Sequence, residues 1–134
     1  MGDFIYNMNY EERDKLLGIS GEWEVGSGFK SVRKFDFINI GILKQLVDDR
    51  FIDPDESHNS SPSIEKIFNF MTKYPRVLAK GYATSPLRRD YRVSLDTLFV
   101  PKSHVTMTLK QDFVEFCTRP NEFEMKGNLY AWWD

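Results

Sequence analysis

Asp53, Asp55 and Ser57 place side-chain oxygens at alternate positions of the polar run Asp53-Pro54-Asp55-Glu56-Ser57-His58-Asn59, the spacing with which a calcium loop opens. The pattern stops there. The sixth position, which needs glycine for its sharp turn, is His58. The twelfth, which needs a bidentate glutamate, is Ile64, with Glu65 one residue out of register. The run reads instead as a solvated acidic loop leading into a helix N-terminus, where negative charge is favourable. It retains one catalytic reading, in which Asp53, Asp55, Glu56 or His58 acts as acid, base or ligand in an enzyme site assembled by folding.

Other chemical templates fail on inspection. Gly18-Ile19-Ser20-Gly21-Glu22 approaches a nucleophile elbow but has Glu22 where the closing glycine belongs. Gly26-Ser27-Gly28 is followed by neither a third glycine nor a lysine-serine pair, so it reads as a turn rather than a phosphate loop. His58 and His104 have no partners at zinc-ligand spacing. Cys117 falls on the apolar side of a helical pattern, the place of a small buried hydrophobe rather than a nucleophile. No metal or cofactor is implied, and the balance is against an enzyme.

Charge offers more. Between Lys66 and Arg92 seven basic residues stand against one acid, Asp90, in a chain of net charge −2. A basic strip on an acidic body can face a partner of opposite sign. Arg76, Lys80, Arg88, Arg89 and Arg92 are the candidate partner-binding residues. The expected partner is an acidic protein surface, because arginine forks bind carboxylates bidentately and hairpin tips are accessible. An adaptor, an inhibitor or an immunity-like protein would fit that description. The alternative is nucleic acid, with Tyr82 and Tyr91 available to stack. A helix followed by a hairpin with arginines at its tip resembles, in architecture alone, the recognition helix and wing of winged-helix DNA binders. The connection into that helix is around a dozen residues, long for a helix-turn-helix.

The elements that must position these residues follow from periodicity and punctuation. Asn9 with Glu12 starts a helix that Gly18 ends. Glu22 to Val25 alternates as a strand before the glycine-rich turn, and Phe29 to Phe37 fits neither period cleanly. Asn39 to Arg50 carries Leu43, Leu46 and Val47 at helical spacing, and the polar loop to Ser61 follows. Ser61-Pro62 predicts the next N-terminus, with Ile64, Ile67, Phe68 and Met71 on one face and Tyr74-Pro75 as the stop. Val77 to Thr84 and Tyr91 to Val100 predict a hairpin. Its second strand should send Tyr91, Val93, Leu95, Thr97 and Phe99 one way and Arg92, Ser94 and Asp96 the other. Val105 to Met107 reads as a short strand, Thr108 to Gln111 as a helix start with Leu109, Phe113, Phe116 and Cys117 inward, and Phe123 to Trp133 as a terminal hairpin. Alternation there separates Trp132 from Trp133 onto opposite faces.

The expectation is an α+β protein, one compact domain over residues 1–134, with about four short helices packed on a mainly antiparallel sheet of β-hairpins. At 134 residues, 41% hydrophobic and 15% aromatic, the chain is large enough to bury a core unaided. One cysteine precludes an internal disulfide, and the lack of a spanning apolar run or a signal-peptide pattern argues for a cytoplasmic protein with no membrane partner.

Overall fold

A computed structural model of the chain describes residues 4–23 and 31–134. Helix α1 (Tyr10–Leu17) begins where the Asn9 side chain accepts the N–H of Glu12 and ends at Gly18 in the left-handed conformation. The second half of a capping box is absent: Asn7, not Glu12, accepts the N–H of Asn9. Strand β1 (Val32–Ile38) leads directly into α2 (Ile40–Asp48), capped by Asn39. After the polar loop come α3 (Ile64–Lys73), β2 (Leu78–Thr84) and β3 (Val93–Val100). A single 3-10 turn (Lys102–His104) precedes α4 (Met107–Phe116), and β4 (Glu122–Glu124) with β5 (Leu129–Trp132) closes the chain. The strands form one antiparallel sheet in the order β1-β2-β3-β5-β4.

Among the described residues four α-helices pack on one face of that sheet, giving the expected α+β architecture. Ala79, Ala83, Val93, Leu95, Leu98, Val100, Leu129 and Ala131 share a core with Leu43, Leu46, Ile64, Ile67, Met71, Leu109 and Phe113 from the helices. The opposite face, carrying Lys34, Lys80, Tyr82, Thr97, Phe99, Tyr130, Trp132 and Glu122, contributes nothing to that core.

The alternation expected along β3 breaks at Asp96. Gly81 pairs with Leu95 and Lys80 with Thr97, so Asp96 is an extra residue with no partner in β2. The bulge reverses parity: Val93 and Leu95 face the helices before it, Leu98 and Val100 after it, and Thr97 and Phe99 move to the uncovered face. A second irregularity, between Phe35 and Ile38 in β1, lies across from the same stretch of β2. The separation of the tryptophans is as expected. Trp133 is buried, its indole N–H donating to the Thr118 carbonyl at 2.9 Å, and Trp132 lies on the uncovered face.

Two helix starts differ from the sequence reading by two residues. Ser63, not Ser61, caps α3 by accepting the N–H of Lys66; Ser61 accepts the N–H of His58 within the loop. Thr106, not Thr108, caps α4, so the segment read as a strand over Val105–Met107 is the entry to a helix. The predicted Gly26-Ser27-Gly28 turn and the second half of the predicted strand before it, Glu24 and Val25, lie outside the described residues. Trp23 is described and is not in a strand; its indole N–H donates to Asp14 Oδ2 at 2.6 Å.

Candidate partner-binding site

The seven-residue β2 places Arg76 at one end of the hairpin and Arg88, Arg89 and Arg92 at the other, roughly 20 Å apart at about 3.3 Å per residue. The basic strip is therefore not one patch. Arg76 is exposed in the turn before β2, and Lys80 is on the uncovered sheet face with its ammonium 5.0 Å from the centre of the Phe37 ring. The other three residues come together at the hairpin tip.

Asp90 organises the tip. Arg88 grips its carboxylate with two parallel hydrogen bonds of 2.6 Å from Nε and Nη2, and Arg92 Nη1 adds a third at 2.7 Å. These donors, Arg88 first, hold the Asp90 carboxyl down to about 2 despite some desolvation. Arg88 also reaches Ser31 Oγ at 3.1 Å, tying the tip to the start of β1. Arg92 donates to the Tyr82 hydroxyl at 2.9 Å, and its Nε lies 3.5 Å from Glu56. Arg89 is exposed and enters no ion pair or hydrogen bond among the described residues.

Glu56 and His58 come from the loop between α2 and α3. Because β5 pairs with β3 only from Thr97 onward, the first half of β3 has no strand on that side, and the loop reaches it there. Glu56 accepts the Ser94 hydroxyl at 2.5 Å and the Tyr6 hydroxyl at 2.9 Å, and His58 Nδ1 meets the Tyr82 hydroxyl at 3.1 Å. Burial, with Glu56 alongside, pushes the Tyr6 phenol up. Asp53 accepts the N–H of Asp55. Glu56, His58 and Asp53 are thus committed to fastening structure, while the exposed Asp55 carboxylate forms no hydrogen bond or ion pair among the described residues. Among the described residues no cluster of three or more His, Cys, Asp or Glu could hold a metal ion. Cys117 is buried, and burial raises its thiol further from reactivity.

Beside the tip runs the segment Phe4–Met8, which has no regular secondary structure. The Asn7 N–H donates to Arg50 O (2.9 Å) and its side-chain amide to Asp49 O (3.0 Å), while the Tyr91 hydroxyl donates to Asn7 O (2.9 Å). The Arg50 guanidinium lies over Phe4, 4.5 Å from the ring centre. Between this segment and the tip opens a concavity of about 560 Å3, with Phe4, Ile5, Tyr6 and Met8 on one side and Arg88, Arg89 and Arg92 on the other. Ile5 (76% exposed) and Met8 (56%) present apolar surface in its wall.

No protein-family model, curated protein or solved structure matches the chain. Among the described residues no helix is long and apolar enough to cross a membrane. The sequence reading located the arginines of this groove and missed its apolar wall. The signal available was weak: Phe4, Ile5, Tyr6 and Met8 fit neither a helical nor a strand period, since the segment is positioned by hydrogen bonds of Asn7 to Asp49 and Arg50 just after α2 and to Tyr91 just before β3.

Proposed function

We propose that this chain is a protein-binding module that receives an acidic segment with an apolar anchor in the groove between Phe4–Met8 and the β2–β3 tip. The observation that carries this reading is the juxtaposition of an exposed apolar wall with an arginine wall in one concavity. Aromatic residues, methionine and arginine are enriched where proteins bind one another. Arg89, with no ion-pair or hydrogen-bond partner among the described residues, is the natural first contact for a carboxylate. Arg88 and Arg92 form exposed or half-exposed pairs with Asp90, and such pairs are worth only about 0 to 1 kcal/mol, so a partner acid can compete for their donors. A nucleic-acid role draws less support. Asp90 offsets part of the tip charge, and β2 and β3 are central strands of a five-stranded sheet rather than a projecting wing.

The test is cross-linking of the whole protein in extract of its own cells, followed by a titration of each captured protein. Arg89→Glu and Ile5→Asp, both at exposed positions, should each weaken binding by tenfold or more. If captured partners bind both variants as they bind the parent, the groove is not the interface. Salt-sensitive binding to DNA or RNA that Arg89→Glu removes would replace this reading with a nucleic-acid one.

A further inference from the structure

The uncovered sheet face carries a second concavity of about 520 Å3, lined by Lys34, Lys80, Asp96, Glu122, Tyr130 and Trp132 among others, and it shares no residue with the tip groove. The two chain irregularities meet beside it. The bulge adds Asp96 to its wall, and the break in β1 brings in Asp36. Strand register defines a row across its floor. Lys80 pairs with Thr97, Thr97 with Trp132, and Trp132 with Glu122. The row reads ammonium, hydroxyl, indole, carboxylate, and its ends are three strand steps apart, about 14 Å at 4.8 Å per step.

Charge is segregated along that row. Lys34 and Lys80 are on β1 and β2, Asp96 and Glu122 on β3 and β4, with Asp36 the one acid on the basic side. Lys34, Lys80, Asp96 and Glu122 form no ion pair with any described residue. Asp96 accepts the Thr97 hydroxyl at 2.8 Å and Glu122 the Tyr130 hydroxyl at 3.3 Å, so both acids keep acceptor capacity for an incoming cation.

We infer that this face binds an extended peptide segment carrying an acidic and a basic side chain four positions apart, laid across the strands with its acid on Lys80, its base on Glu122 and the residue between them over Trp132. An extended chain advances about 3.4 Å per residue, so positions i and i+4 span the same 14 Å or so, and i, i+2 and i+4 point to one side. The indole supplies a flat apolar platform for the central side chain, and the opposed charges fix the orientation. This proposal is independent of the tip groove.

The probes are acetylated, amidated pentapeptides, Asp-Ser-Leu-Ser-Lys and its reverse Lys-Ser-Leu-Ser-Asp, with Asp-Ser-Leu-Ser-Asp and Lys-Ser-Leu-Ser-Lys as controls. They are titrated into the whole protein and followed through the indole N–H resonances. At least one mixed peptide should shift Trp132 and not Trp133, and bind at least tenfold more tightly than either control. Lys80→Glu or Glu122→Lys should remove that preference, the two together should restore it, and Arg89→Glu should leave it intact. Equal binding of mixed and uniform peptides overturns the inference, as does no response to any peptide at millimolar concentration. So does a Trp132 response to a neutral oligosaccharide alone, which would make the face a sugar platform.

Discussion

Substituting Gly81 by alanine tests the geometry on which the uncovered face depends. A Cβ at this position would stand 1.8 Å from the Ser94 carbonyl oxygen and 2.8 Å from both Ser94 C and Leu95 Cα. All three obstacles are backbone, so no side-chain rotation relieves them. Ordinary contact requires about 1.6 Å more room, and β2 and β3 must part at the bulge to provide it. Parting disturbs the pairs on either side, Lys80 with Thr97 and Tyr82 with Ser94. Two backbone hydrogen bonds weakened in a buried sheet, at about 1 to 2 kcal/mol each, together with displaced core contacts, give a loss of about 3 to 5 kcal/mol. At roughly 3 to 4 °C per kcal/mol for a chain of this size, the melting temperature should fall by about 10 to 20 °C. Circular dichroism melts of Gly81→Ala beside Gly127→Ala provide the comparison. At Gly127 the nearest atom is the flexible Lys102 Cδ, at 3.7 Å, and little change is expected. A Gly81→Ala protein that melts within about 3 °C of the parent refutes the close approach of the two strands.

Trp133→Ala should cost about 3 to 5 kcal/mol in urea denaturation, since it empties a fully buried site and frees the Thr118 carbonyl, whereas Trp132→Ala on the open face should cost about 1 kcal/mol or less. Arg13 is wholly buried, with Nη2 2.8 Å from Asp14 Oδ1, Nη1 donating to Thr84 O at 2.9 Å and the guanidinium 4.8 Å from the centre of the Tyr91 ring. Arg13→Ala should therefore lose about 3 to 5 kcal/mol, and Arg13→Ala with Asp14→Ala less than the sum of the single losses, because the pair fails as a unit. Asp90 titrates below the ordinary carboxyl range because Arg88 and Arg92 hold its charged form, so its contribution to stability is complete above about pH 4 and disappears as pH falls through about 2. Carboxyl carbon shifts should show a midpoint near 2 that rises toward the ordinary value in Arg88→Ala, with only a small change in overall stability because both partners are partly exposed.

The parts of this fold written in local chemistry were readable without coordinates. Asn9, Gly18 and Asn39 act where a cap must act, and the inward faces of α2, α3 and α4 follow helical spacing because each helix buries one stripe. What escaped was set by tertiary context. Ser61 and Ser63 are both competent caps, and the choice between them was made by the loop, which takes Ser61 for His58. Thr106 and Thr108 pose the same ambiguity. Alternation predicted the first half of β3 and failed at Asp96, because a bulge is a relation between two strands and leaves no mark in one of them. The candidate site divided similarly. The tip arginines stood out by charge, but Asp90, counted as their lone opponent, proved to be the group that arranges two of them. Arg13 gave no sign that it would be buried.

The bulge at Asp96 also sets how the gene can change. Replacing Asp96 by another polar residue alters one side chain at the rim of the open face. Deleting its codon would remove the bulge and nothing else of the pairing: Leu95 opposite Gly81 and Thr97 opposite Lys80 become consecutive, Leu98 and Val100 stay turned to the helices, and β5 keeps its register on Thr97 to Val100. A one-residue loss in the segment Thr118–Asn121 likewise leaves strand phase untouched. Lineages of this protein should therefore vary at position 96 both in residue type and in whether the residue is present, the bulge going with it, and should keep the inward set Val93, Leu95, Leu98 and Val100 in either case.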